Sequence, residues 1–179
     1  MILSDGMGTG GRAAVDGAMA SGLMYRLIKA GFGYDCSLRI LNSSMLFKST
    51  DESLATVDIA SIDLFTGKVE LYKAGAAPTL VRRSGRMGKA ESTSLPAGIL
   101  RDVSFDKATV KCKEGDVVVL MSDGAVCEGT EWIREEIEAF TDGTAEQLSE
   151  RICEGAKRRR TDGHEDDITV ITAIIKKAV

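Results

Sequence analysis

Three acidic positions in this sequence share one local arrangement, in which a carboxylate lies at the end of an apolar, strand-like segment. They are Asp5, which precedes Gly6, Asp123, which precedes Gly124, and the adjacent pair Asp166 and Asp167. Any single Asp-Gly pair is also a common turn. Three carboxylates at strand ends, with a backbone carbonyl freed by glycine, would instead form an all-oxygen site of the kind that Mg²⁺ and Mn²⁺ prefer.

The composition narrows the chemistry further. The chain has 23 Lys and Arg against 27 Asp and Glu, a formal charge of −4, which argues against a nucleic-acid partner because such proteins need a basic face. His164 is the only histidine, so a histidine-rich zinc site is excluded and a Ser-His-Asp triad would require His164 as its base. An enzyme of this composition would work with carboxylates and hard metal ions rather than imidazole.

The length of 179 residues predicts one domain spanning residues 1–179. None of the four cysteines belongs to a C-x-x-C pair, which favours reduced thiols in a cytoplasmic protein. No apolar run approaches the roughly 18 residues that a membrane span needs. The longest, Val117–Met121, is typical of a buried strand.

The glycines after Asp5 allow more than one interpretation. Gly6-x-Gly8-x-x-Gly11 formally matches a dinucleotide-binding fingerprint, but that motif requires a second strand after the helix, where this sequence predicts another helix. A P-loop is excluded because Gly11 is followed by Arg12 rather than by Lys. A loop that holds a metal or phosphate through backbone groups is favoured.

The predicted elements are a strand, two helices, several antiparallel strands, two helices and a final strand, an order typical of a layered α+β fold. The predicted helices are Arg12–Ala30, Asp35–Phe47, Glu131–Phe140 and Thr144–Lys157, the last opened by a Thr144-x-x-Gln147 capping box. The predicted strands are Met1–Ser4, Thr56–Leu64, Lys68–Ala74, Thr79–Arg83, Ser104–Lys111, Asp116–Met121 and Ile168–Ile175. We expect Ser104–Lys111 and Asp116–Met121 to pair with each other around Glu114-Gly115.

Six ordered motifs resemble those of the bacterial stage II sporulation phosphatase E family, a branch of the metal-dependent (PPM, or type-2C) serine/threonine phosphatases. The segment Ser4–Gly10 resembles its S-D-G-M-G-x-G motif. The further matches are Thr50–Leu64, Gly75–Pro78, Leu95–Ile99, Met121–Gly124 and Asp166–Val170. The resemblance covers nearly the whole chain.

The resemblance implies the family's α-β-β-α sandwich of two antiparallel sheets flanked by helix pairs, and a site with two divalent ions, Mn²⁺ or Mg²⁺. In it Asp5 would bridge both ions, the Gly6 carbonyl would bind one, and Asp123 and Asp166, with Asp167 beside them, would hold the other. A metal-bridged water would then be the nucleophile. The implied substrate is a phosphorylated anti-sigma-factor antagonist protein.

One departure concerns the start of the chain. Family members carry a further acidic residue on a strand upstream of this motif, whereas here only three residues precede Ser4. The resemblance therefore implies an N-terminally truncated domain with an incomplete second metal site, cut from a parent whose missing parts would carry any membrane anchor. A partner-binding module with a phosphatase fold but no turnover stays open as an alternative.

A stress-response phosphatase of the same superfamily is the other alternative. That group typically shows D-G-H-G-H-G and G-H-x-P, where this chain has Met7, Thr9 and Ala76.

The first helix pair is rich in Ala and Met, a composition that suits core packing. The resemblance implies a homodimer contact or a switch at this helix pair. His164 fits either a solvated loop residue or a proton donor to the leaving oxygen.

Overall fold

The computed structural model describes residues 1–48, 53–126, 128–160 and 166–176. The chain divides into two compact units. The first unit comprises Met1–Ser61, Glu70–Ala76 and Ser92–Thr109, and the second comprises Ile62–Val69, Ala77–Glu91 and Val110–Val179. Each unit is built on an antiparallel sheet with helices against it, which confirms the predicted α+β class.

The elements agree closely with those predicted from the sequence. The strands are β1 (Ile2–Gly6), β2 (Ala55–Ile62), β3 (Lys68–Ala74), β4 (Thr79–Arg83), β5 (Arg86–Ala90), β6 (Asp106–Lys111), β7 (Val117–Met121) and β8 (Val170–Ile174). The helices are α1 (Gly11–Lys29), α2 (Tyr34–Lys48), α3 (Asp123–Val126), α4 (Glu131–Ala139) and α5 (Ala145–Arg159). Strand β5 and the short helix α3 were not predicted. None of the described helices is long and apolar enough to cross a membrane.

The first sheet has the strand order β1-β2-β3-β6. In it β1 runs antiparallel to β2, with Ile2 opposite Ile59 and Asp5 opposite Thr56. Helices α1 and α2 bury their apolar faces in the core of this unit. The fully buried members of that core include Met24, Leu38, Leu41, Met45, Val57 and Ile59, each of which contributes about 1.5–3 kcal/mol by leaving water.

The second sheet has the strand order β5-β4-β7-β8. All five residues of β7 are buried because β7 is an inner strand, which explains its continuous apolar run. Helices α4 and α5 complete the core with Ile133, Ile137, Leu148 and Ile152. The predicted capping box is confirmed, since the Thr144 side chain accepts from the Gln147 amide and the Gln147 side chain from the Thr144 amide.

The predicted pairing of Ser104–Lys111 with Asp116–Met121 is wrong. Strand β6 joins β3 in the first sheet, whereas β7 lies between β4 and β8 in the second. The Asp116 carboxylate fixes the turn between them by accepting from the Lys113 and Ser84 amides at 2.7 Å each. A strand as apolar as β7 needs a neighbour on both sides, and β6 alternates exposed and half-buried residues that suit an edge.

Candidate functional site

Asp5 and Gly6 are the last two residues of β1. The strand therefore extends two residues beyond the predicted end at Ser4. The Asp5 amide donates to Thr56 Oγ1 at 3.2 Å. Gly6 is buried, and a Cβ there would overlap the Ala13 carbonyl, so α1 packs directly on the strand backbone. The absence of a side chain at Gly17, whose Cβ would lie 2.9 Å from the Gly6 nitrogen, permits the same approach.

The loop Met7–Gly10 joins β1 to α1. The Met7 amide donates to the Leu54 carbonyl at 2.9 Å. Gly8 and Gly10 have φ of 102° and 81°, values that other residues rarely adopt. Because α2 follows α1 directly, the second strand of a dinucleotide-binding unit is missing, and that interpretation of the glycines is excluded.

Asp123 and the pair Asp166 and Asp167 lie together in the second unit. Strands β7 and β8 are antiparallel, with Met121 opposite Val170, so the end of one strand adjoins the start of the other. A Cβ on Gly124 would overlap the Asp167 carbonyl. The segments that carry Asp123 and the pair Asp166 and Asp167 therefore lie side by side within this unit.

Asp123 and Asp166 are both exposed residues. Asp123 Oδ1 accepts from the Gly124 amide at 2.9 Å, and Asp166 Oδ1 accepts from the Asp167 amide at 3.1 Å. Among the described residues, no lysine or arginine forms an ion pair with either carboxylate. Arg160 instead donates to the Asp166 backbone carbonyl. The two side chains thus offer hard oxygen donors of the type that suits a divalent ion.

Neither unit, in its described residues, contains by itself a group of three or more His, Cys, Asp or Glu side chains that could hold a metal ion. Asp5 and Gly6 lie in the first unit, and Asp123, Asp166 and Asp167 lie in the second. The roles assigned to all five residues stay predictions. His164 and the start of the Thr50–Leu64 motif lie outside the described residues.

Sequence reasoning missed Ser4 and Ser122, which directly precede Asp5 and Asp123. Ser4 Oγ donates to the Thr56 carbonyl at 2.7 Å, and Ser122 Oγ donates to the Asp167 carbonyl at 3.0 Å. The signal was available, because the tripeptide Ser-Asp-Gly occurs at residues 4–6 and again at 122–124, each time at the end of an apolar strand.

The C-terminal end of α5 is basic. Lys157, Arg158 and Arg159 form its last turn, where cations interact favourably with the helix dipole. The Arg159 guanidinium lies 4.3 Å from the centre of the Trp132 ring and donates to the Gly155 carbonyl at 3.2 Å. These contacts favour a helix-end role over phosphate binding for Arg159.

Comparison with known proteins identifies the relatives of this chain. The family model "Stage II sporulation protein E (SpoIIE)" matches residues 1–176. Stage II sporulation protein E of Bacillus subtilis (strain 168) is 27% identical over 180 residues, covering 97% of this chain and 22% of that protein. The chain thus spans about a fifth of the length of that relative.

Solved structures agree with this match. The PP2C phosphatase domain of SpoIIE from Bacillus subtilis, solved with a fragment of its regulatory domain, has a TM-score of 0.86 at 25% identity, covering 98% of this chain and 52% of that one. The catalytic domain of the serine/threonine phosphatase PstP, in complex with two manganese ions, has a TM-score of 0.80 at 17% identity, covering 98% and 87%, and shows the shared fold. The chain therefore belongs to the stage II sporulation protein E family and has the fold of its PP2C-type phosphatase domain, a class of phosphoprotein hydrolases.

Proposed function

We propose that residues 1–179 form one metal-dependent phosphatase domain that hydrolyses phosphoserine or phosphothreonine in a protein substrate. The observation that carries the proposal is the pair of exposed aspartates, Asp123 directly after β7 and Asp166 in the segment before β8, which form no ion pair among the described residues. Family membership supports the same class of reaction. The substrate that best fits the resemblance is a phosphorylated anti-sigma-factor antagonist.

The residues present fit divalent cations because every candidate donor is a hard oxygen. Asp5 and the Gly6 carbonyl in the first unit, and Asp123, Asp166 and Asp167 in the second, would be the protein ligands of such ions. The manganese ions bound by the similar PstP domain support a divalent cation as the bound group. When bound, such ions lower the pKa of a coordinated water and neutralise charge on the phosphoryl oxygens.

The contribution of the chain itself is to hold these oxygens at the ends of strands. The backbone on either side of Asp5 is pressed against β2 and α1, and Gly124, which follows Asp123, is pressed against the Asp167 backbone. Asp5 belongs to β1 and Asp123 is the first residue of α3, and ligands on such rigid elements keep their geometry better than ligands on loops. The exposure of Asp123 and Asp166 leaves access for a phosphorylated side chain on another protein.

The test is Mn²⁺-dependent hydrolysis of p-nitrophenyl phosphate and of a phosphoserine peptide by the purified chain. Asp123→Asn and Asp5→Asn should each reduce turnover by more than the about 10–100-fold expected for loss of an outer-shell contact. Asp142→Asn, an exposed aspartate in the α4–α5 loop of the second unit, should leave turnover unchanged. Equal activity of Asp123→Asn and Asp142→Asn would refute the proposed role.

A partner-binding module without turnover is the second candidate function. The observation in its favour is that neither unit alone holds a complete cluster of metal-binding side chains among its described residues. Binding of a phosphorylated antagonist with no release of phosphate at saturating Mn²⁺ would select this candidate over the enzyme. The family match over residues 1–176 favours the sporulation class over a stress-response phosphatase.

A further inference from the structure

The Ser122 side chain joins the end of β7 to the segment before β8. Its Oγ donates to the Asp167 carbonyl at 3.0 Å and accepts from the Thr169 amide at 2.9 Å. The Ser122 amide also donates to the Thr169 carbonyl at 3.0 Å. The side chain is buried, with the residue 5% exposed, and its one proton is already donated to the backbone.

The residue on the other side of Asp123 contacts the same carbonyl. A Cβ at Gly124 would overlap the Asp167 oxygen, so only glycine allows this approach without a shift of the backbone. Asp123 is therefore bracketed by two residues that both touch the Asp167 backbone, while its own carboxylate stays exposed. This arrangement ties the position of Asp123 to that of Asp166 and Asp167.

The other Ser-Asp-Gly tripeptide repeats the arrangement independently. Ser4 Oγ donates to the carbonyl of Thr56 on the neighbouring strand, at 2.7 Å. Gly6 is pressed against the Ala13 carbonyl. In both places the serine and the glycine are anchored to backbone outside the tripeptide, and the aspartate lies between two anchored residues.

We propose that Ser122 is a positioning residue, which holds the Asp123 carboxylate in register with Asp166 and Asp167 so that they can bind a divalent cation together. This inference rests on the proposed function, because it takes these aspartates as metal ligands. The hydroxyl acts through the backbone: it bonds to the Asp167 carbonyl and the Thr169 amide. Removing the hydroxyl removes both of these hydrogen bonds and loosens the segment that carries Asp166 and Asp167.

The test measures Mn²⁺ affinity without substrate, by electron paramagnetic resonance or calorimetry. Ser122→Ala should weaken Mn²⁺ binding about 10-fold, the lower end of the range for a lost outer-shell partner. It should also accelerate hydrogen exchange at the Thr169 amide, which donates to this hydroxyl. Ser122→Thr keeps the hydroxyl and should restore both properties to near wild-type values.

Ser149→Ala is the matched control. Ser149 Oγ donates to Thr172 Oγ1 at 2.8 Å. The Ser149→Ala substitution therefore also removes a hydroxyl bonded to β8, but at a position away from the segment that carries Asp166 and Asp167. It should leave Mn²⁺ affinity unchanged. Ser122→Cys, which keeps the size of the side chain but has a weak donor, takes the place of Ser122→Ala if the alanine variant does not fold.

The outcomes separate this inference from the proposed function. If Ser122→Ala binds Mn²⁺ as tightly as Ser149→Ala does, while Asp123→Asn loses affinity, the positioning role is overturned and the metal site stands. If Asp123→Asn keeps full affinity, the proposed function itself fails, and the role of Ser122 fails with it. Loss of affinity in Ser122→Ala with recovery in Ser122→Thr supports the inference.

Discussion

Lys73 on β3 and Asp58 on β2 form an ion pair inside the first unit. The Lys73 Nζ lies 2.6 Å from Asp58 Oδ2, and the two side chains are 2% and 1% exposed. Burial lowers the pKa of Lys73, and the charges of Asp58 and Asp106 oppose that shift. Lys73→Met removes the cation and leaves the Asp58 carboxylate buried without it.

The expected loss is large because a buried charge that loses its partner keeps its desolvation cost. Breaking such a pair from one side costs about 3–5 kcal/mol, whereas replacing both partners with apolar residues is often neutral. For a chain of this size each kcal/mol shifts the melting temperature by about 2–4 °C. Lys73→Met should therefore lower it by about 6–20 °C. Lys73→Met combined with Asp58→Leu should recover most of that loss.

The assay is urea unfolding followed by circular dichroism, with calorimetry for the melting temperature. Lys89→Met is the matched control, because the Lys89–Glu91 pair has the same 2.6 Å separation but side chains that are 38% and 63% exposed. An exposed pair contributes about 0–1 kcal/mol, so Lys89→Met should shift the melting temperature by at most about 4 °C.

Two results would refute the reasoning. One is a Lys73→Met variant no less stable than Lys89→Met, which would mean that burial does not govern the cost of breaking the pair. The other is a double variant that is no more stable than Lys73→Met alone. That outcome would assign the loss to packing around the lysine stem rather than to the buried charge on Asp58.

Two further predictions concern the first unit. Burial raises the pKa of Asp106, but hydrogen bonds from the Ser92–Ser94 segment outweigh it and lower the pKa to about 2. Because the folded pKa lies below the unfolded one, this stabilisation is complete above about pH 4 and is lost as the pH falls towards 2. Asp106→Asn should therefore be less stable than wild type in urea unfolding at neutral pH, and the two stabilities should converge in acid. A stability difference that does not change with pH would contradict this prediction. Gly6→Ala should cost about 1–3 kcal/mol of unfolding free energy by forcing β1 away from Ala13, whereas Gly11→Ala, which meets open space, should cost little. Equal thermal stability of the two alanine variants would contradict the close approach.

Local residue patterns determined most of the secondary structure. Five consecutive apolar residues predicted β7 within a residue of its ends, and Thr144 with Gln147 marked the start of α5. These signals depend on neighbours in the chain, through periodicity and end-capping, and need no knowledge of the fold. The order of six motifs along the chain was likewise sufficient to identify the family.

Strand pairing and hydrogen-bond partners were decided only by the tertiary structure. The sequence placed β6 and β7 in one hairpin, but they belong to different sheets. Lys73 is a cation, and lysine is rarely buried unless it is paired, yet here its side chain is 2% exposed and lies against Asp58. Ser122 meets the Asp167 backbone 45 residues away. Local periodicity indicates which side of a strand is apolar, but it does not indicate which distant strand pairs with it. That choice depends on the free energy of packing the whole chain.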